Sequence, residues 1–227
     1  MNAIDQNINI NANTDIYLKS LIESSRHKTE RKPISEIIAK VIRVLTIPPI
    51  IISALLILLF ANNTGVFNSL SELLISVTFF GIVPVLAYPV SHIIPNIREK
   101  GRDGQRALAF VFTILGYIFA VIYSLSAPTS NGLKFICVTY LMSALFLVVF
   151  NKLLHIKASG HACSTVGPLT LAVYYLGIHA LPVSVITALL TAWSSVKLKR
   201  HTVSDLFFGA FVCLPGSILA YIIVYVL

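Results

Sequence analysis

Residues 106–126 read RALAFVFTILGYIFAVIYSLS, and beyond Arg106 no charged side chain interrupts them. A helix needs about 20 mostly apolar residues to cross the hydrocarbon of a bilayer, and this stretch meets that length. Working outward, the same criterion marks 38–61 and 69–93 before it, and 133–153, 163–179, 181–197 and 204–226 after it. The fifth and sixth are short and meet around Gly177, His179 and Pro182, so a tight hairpin is expected there. Of the 227 residues, 56% are hydrophobic and only 11% charged, far too little polar surface for a soluble globule. The expected fold is all-α: a polytopic membrane helical bundle of six to seven transmembrane helices. Residues 1–35 read as a polar, basic N-terminal segment and 36–227 as one transmembrane helical domain, with no internal repeat.

The net charge of +8 is placed in a way that argues against nucleic acid as a partner. Of the 17 Lys and Arg, only Lys134 lies outside four regions: the N-terminal segment through Arg43, and the turns near 98–106, 152–157 and 197–200. With the spans above, all four emerge on one membrane face. The positive-inside rule then puts the N-terminus and that face in the cytoplasm. An anion-binding site assembled from the same loops is a second explanation, and the two are compatible. The stretch Arg26-His27-Lys28-Thr29-Glu30-Arg31-Lys32 reads as a solvated or headgroup-facing segment. Residues 1–35 hold no apolar core of a cleavable signal. Cys137, Cys163 and Cys213 sit in or beside apolar segments and read as small packing residues.

Three elements could carry chemistry. Asp205 is the only carboxylate after Asp103, and it stands at the mouth of the last apolar segment. An ionisable group there is costly and usually has a partner. His201 precedes it by four residues, which places both side chains on one helical face. A carboxylate beside an imidazole fixes the tautomer and stabilises the cation when the other nitrogen reacts. The plainer reading is a helix cap beside the basic cluster Lys197, Lys199, Arg200 and His201. The second element is Lys157-Ala158-Ser159-Gly160-His161-Ala162, where Ser159 suits an N-cap and Gly160 lets backbone approach a ligand. Free N–H groups at a helix start bind phosphate oxygens, and His161 could protonate a leaving oxygen. An ordinary Ser-capped helix with an interfacial histidine is the alternative. The third is the loop Arg98-Glu99-Lys100-Gly101-Arg102-Asp103-Gly104-Gln105-Arg106, whose cations could clamp a phosphate or simply set topology. An even number of helices separates each element from the next, so all three gather at one surface. Phosphoryl transfer needs little more than such positioning, charge stabilisation, a nucleophile and an acid.

With these residues in view, the chain resembles the type-2 phosphatidic-acid phosphatase superfamily, which includes vanadium haloperoxidases. That superfamily carries Lys, six residues, Arg-Pro; then Pro-Ser-Gly-His; then Ser-Arg, five residues, His, three residues, Asp. Here Ser159-Gly160-His161 follows Ala158 in place of proline, and Ser194, His201 and Asp205 keep the third spacing, with Gly209 following in the same helix. The resemblance covers residues 98–209, about half the chain. It implies a phosphatase-like domain in which His201 is the nucleophile, Asp205 its orienting partner and His161 the general acid, with Ser159 and Gly160 on the phosphate. The third motif's arginine falls on Ser195, and Lys197 is the expected substitute, ahead of Arg200, which adjoins His201. Lys100 and Arg106 are one residue too close and no proline follows, so Lys100, Arg102 and Arg106 are assigned to the phosphate as a group.

The expected activity is hydrolysis of an amphiphilic phosphorylated lipid, either a lipid phosphate or an isoprenoid diphosphate, through a phosphohistidine. No metal or other cofactor is expected. The chain has no carboxylate cluster for magnesium and no His-Glu-x-x-His helix for zinc. His155, His161 and Cys163 read as unrelated interfacial side chains. Two alternatives are transfer of the phosphoryl or head group to another lipid alcohol, and a transporter or anion-binding protein that uses the same charges without chemistry.

Overall fold

A computed structural model describes residues 18, 19 and 33–227; the basic stretch 26–32 lies outside them. The chain divides into Met1–Ile37 and Ile38–Leu227, and the second unit carries the bundle and the site. Among the described residues there is no strand, and the protein is an all-α polytopic membrane bundle. Among the described residues five helices are long and apolar enough to cross a bilayer, or six with one bent pair counted as a single span.

That bent pair is α1 (Ile34–Leu45) and α2 (Pro48–Ala61), which meet at 54°. The sequence marks 38–61 as a single span, and in the structure it is broken. The break has a local cause: Ile47 precedes Pro48 and is held extended, at φ −63° and ψ 143°. A following proline ring excludes the helical conformation, so the helix stops and restarts. Next, α3 (Leu70–Ile93) starts on Ser69, whose hydroxyl accepts from the Glu72 N–H. Its single wide π turn, Thr78–Ile82, precedes Pro84. Proline lacks the N–H and crowds the carbonyl four residues back, and a widened turn relieves both.

The spans α4 (Gly101–Ser126) and α5 (Asn131–Leu153) follow, and α4 packs against both α3 and α5. Phe80, Tyr117 and Tyr140 join these three helices through ring contacts with centroids 5.0–5.4 Å apart. Helix α6 (Gly160–Leu176) is 17 residues, about 25 Å at 1.5 Å per residue and so shorter than α3, α4, α5 and α8. It meets α7 (Leu181–Lys197) through Gly177, at φ 79°, and the single turn Ile178–Ala180, the tight connection the sequence suggests. Last comes α8 (Val203–Val226), which packs on α5 and on α6. Large apolar side chains such as Ile57, Leu74, Ile122, Leu189 and Ile218 are exposed, as lipid-facing residues must be.

Two glycines in α8 set its position. A Cβ on Gly216 would overlap the Ser143 hydroxyl and lie 2.9 Å from that residue's N and Cα. A Cβ on Gly209 would overlap the Ser159 carbonyl and lie 2.9 Å from its nitrogen. In a bilayer helices associate mainly by close packing, so small residues mark where backbones must touch. Gly209 therefore brings the first turns of α8 against the loop that opens α6.

Candidate active site

At that contact the ends of several helices converge. Thr202 caps α8: its Oγ1 accepts from the Asp205 N–H at 3.1 Å, and Asp205 Oδ2 accepts from the Thr202 N–H at 3.2 Å. Asp205 is thus a helix cap, but it is more than one. The same Oδ2 lies 3.1 Å from Lys157 Nζ and 3.5 Å from His201 Nδ1. The Asp205 carbonyl also accepts from the Ser159 N–H at 2.8 Å. One residue, only 5% exposed, therefore ties the loop before α6 to the start of α8 and faces the imidazole between α7 and α8.

The His201 contact is electrostatic, because at 3.5 Å Nδ1 forms no aligned hydrogen bond. Turning Nδ1 toward the carboxylate leaves Nε2 as the ring nitrogen free to react. Burial pushes the His201 pKa below the ordinary imidazole value, with Arg43 and Lys157 acting in the same direction. The Asp205 carboxylate opposes them. The balance favours the neutral ring, which is the nucleophilic form.

His161 is the second residue of α6, and Ser159 is its N-cap, with Oγ accepting from the Ala162 N–H at 3.3 Å. The His161 Nε2 is fully covered and has no hydrogen-bond partner. Among the ionisable groups acting on it are Arg43 and His201. Both imidazoles line one cavity of about 540 Å³. Arg43, Arg106 and Gly160 join them there from helix ends. Mid-helix residues supply an apolar body that includes Phe80, Pro84, Phe110, Tyr117, Tyr140 and Leu147.

The fold therefore brings His201, His161, Gly160 and Arg106 to the cavity, while Asp205 and Ser159 are buried beside them outside its lining. The Ser159 hydroxyl serves as the cap of α6 rather than as the expected phosphate contact. The fold does not bring Lys100, Arg102 or Lys197, which are exposed and do not line the cavity. Arg106 is held only loosely by Asp103, at 3.9 Å between two exposed side chains, so it is available to a ligand. The Ser159 amide is engaged by Asp205, which leaves the Gly160 and His161 amides as the first-turn donors of α6. Two cations were given no role in the site by the sequence: Lys157, paired with Asp205, and Arg43, whose Nη1 donates to Ser195 Oγ at 3.2 Å. Arg43 carried a signal, since an ionisable side chain inside an apolar segment is costly and usually has a partner.

No known protein family, curated protein or solved structure matches this chain. Function is read from the side chains themselves. Among the described residues, no three His, Cys, Asp or Glu gather closely enough to hold a metal ion. The site offers two imidazoles, one ring-orienting carboxylate, two arginines and the amides of a helix start, facing a chamber suited to hydrocarbon.

Proposed function

We propose that the protein is a membrane phosphatase that hydrolyses a lipid phosphate or isoprenoid diphosphate through a phosphohistidine on His201. The observation that carries this reading is the shared cavity: His161 and His201 line it beside two arginines, and its remainder is mainly aromatic and aliphatic, with Thr113, Thr139, Ser143 and Ser164 the polar exceptions. The spacing of Ser159-Gly160-His161 and of Ser194, His201 and Asp205, with its likeness to the type-2 phosphatidic-acid phosphatases, supports the same assignment.

In the first step His201 Nε2 attacks phosphorus while the bond to the leaving oxygen breaks, and His161 gives that oxygen a proton. Asp205 stabilises the cation that develops on the His201 ring. In the second step water attacks the phosphoryl group, His161 takes its proton, and the phosphorus–nitrogen bond breaks to restore His201. The arginines and the α6 amides hold the phosphoryl oxygens throughout, where fixed dipoles and charges act most strongly on the transition state. The lipid tail lies in the apolar body. Both the N-terminus and the site belong on the cytoplasmic face by the distribution of cations.

The test is phosphate release by the purified protein from mixed micelles, each containing one lipid monophosphate or isoprenoid diphosphate. Turnover is expected for at least one substrate, inhibited by orthovanadate and abolished in His201→Ala. A His201→Ala variant that released phosphate at the wild-type rate would remove the assigned nucleophile. Transfer of the phosphoryl group to a second lipid alcohol, seen by mass spectrometry, would replace hydrolysis by a transferase on the same residues.

A further inference from the structure

The position where the resemblance expects a phosphate-binding arginine holds Ser195, a wholly buried side chain too short to reach a ligand. The hydroxyl instead receives a hydrogen bond from Arg43, 152 residues away in sequence. We infer that Arg43, delivered by the end of α1 and held in place by Ser195, is the guanidinium that grips the phosphoryl group in the cavity. This rests on the phosphatase reading for its ligand, and on independent geometry for the clamp.

Three observations support the clamp. Arg43 lines the same cavity as His161, His201 and Arg106, whereas Lys197 does not. The ionisable groups acting most on Arg43 are Arg200 and Arg106, both of them cations. The carboxylate beside His201, Asp205, is already shared between Lys157 and that ring. Like charges crowded around a partly buried cavity are costly without a counter-ion, and a tetrahedral oxyanion would supply one. Guanidinium has five N–H donors in a planar fork, so one bond to Ser195 leaves a free edge for a bidentate phosphate contact. Since Ser195 is wholly buried, an arginine at 195 and the native Arg43 would compete for the same space. The two placements are alternative solutions to one requirement.

The test is orthovanadate binding to the full-length protein in detergent, measured by calorimetry beside phosphate release from a lipid monophosphate. Arg43→Ala is expected to raise the vanadate Kd by about tenfold or more, the usual scale for losing a charged hydrogen bond. Arg43→Lys should fall between, because it keeps the charge and loses the fork. The decisive variant is R43A/S195R, which should recover most of the affinity that R43A alone has lost. A tether that merely holds α1 to α7 would not be restored by that exchange. If the alanine variant melts early, Arg43→Gln keeps a donor to Ser195 without the charge and should lose affinity equally. Wild-type affinity in a folded Arg43→Ala or Arg43→Gln protein overturns the clamp, as does a wild type that binds no vanadate, or a folded R43A/S195R no better than R43A. Vanadate binding that depends on Arg43, with no phosphate released from any lipid, leaves the clamp standing and rejects the phosphatase.

Discussion

Asp205→Asn removes one negative charge and little else. The amide oxygen can still accept from the Thr202 N–H, so the cap of α8 persists, and Lys157, whose side chain is 72% exposed, can turn to water. What is lost is the stabilisation of the cation that His201 becomes when it attacks. Unit charges separated by the observed 3.5 Å attract by about 4.7 kcal/mol at an effective dielectric constant of about 20. Lys157 sits on the same oxygen and offsets part of this, leaving roughly 2–3 kcal/mol, or about 30- to 150-fold in kcat. The measurement is single-turnover phosphate release with saturating lipid substrate, beside a thermal melt in the same detergent. The expected result is that fall in kcat with KM nearly unchanged and the melting temperature within a few degrees of wild type. A full wild-type kcat would show that Asp205 serves α8 as a cap alone, and the orienting role would have to be abandoned.

Three further outcomes follow from the same geometry. Because burial and neighbouring cations depress the His201 pKa, protonation that silences the nucleophile should begin only below the ordinary imidazole value of about 6.5. The acid limb of kcat/KM is therefore expected below that pH, and Asp205→Asn should move it lower still, since the carboxylate is the group that raises the value. A limb above pH 7 would contradict this. His161→Ala should keep wild-type vanadate affinity within a few-fold while slowing both steps, and substrates with an already good leaving group, such as an aryl phosphate, should suffer least in the first. Equal loss on all substrates would count against the acid role. Gly209→Ala places a methyl group on the Ser159 backbone, so overpacking of about 1–3 kcal/mol is expected, with a lowered melting temperature and a displaced Asp205. A stable, fully active alanine variant would show that α8 does not need that close approach.

The predicted helices and the His201–Asp205 pair were legible because both depend on short-range pattern. Apolar length alone selects a bilayer span, and a separation of four residues keeps His201 and Asp205 close, although His201 stands in the turn before α8 rather than on the helical face the spacing suggests. The bend between α1 and α2 was legible in principle at Pro48-Pro49, since the constraint a proline places on its predecessor is local. Lys100, Arg102 and Lys197 lie outside the cavity for a different reason. Spacing along a short charged stretch cannot say which cation turns inward, and of Lys100, Arg102 and Arg106 only Arg106, on the second turn of α4, lines the cavity.

Sequence by itself determined that this chain is a bundle of apolar helices with two histidines, one carboxylate and several cations at helix ends. Only tertiary structure decided which of those cations share a cavity. It brought Arg43 to Ser195, Lys157 to Asp205, and the start of α8 against the Ser159 loop through Gly209. Contacts of that kind depend on how whole helices pack, and helices separated by long stretches of chain leave no periodic trace of which faces will meet.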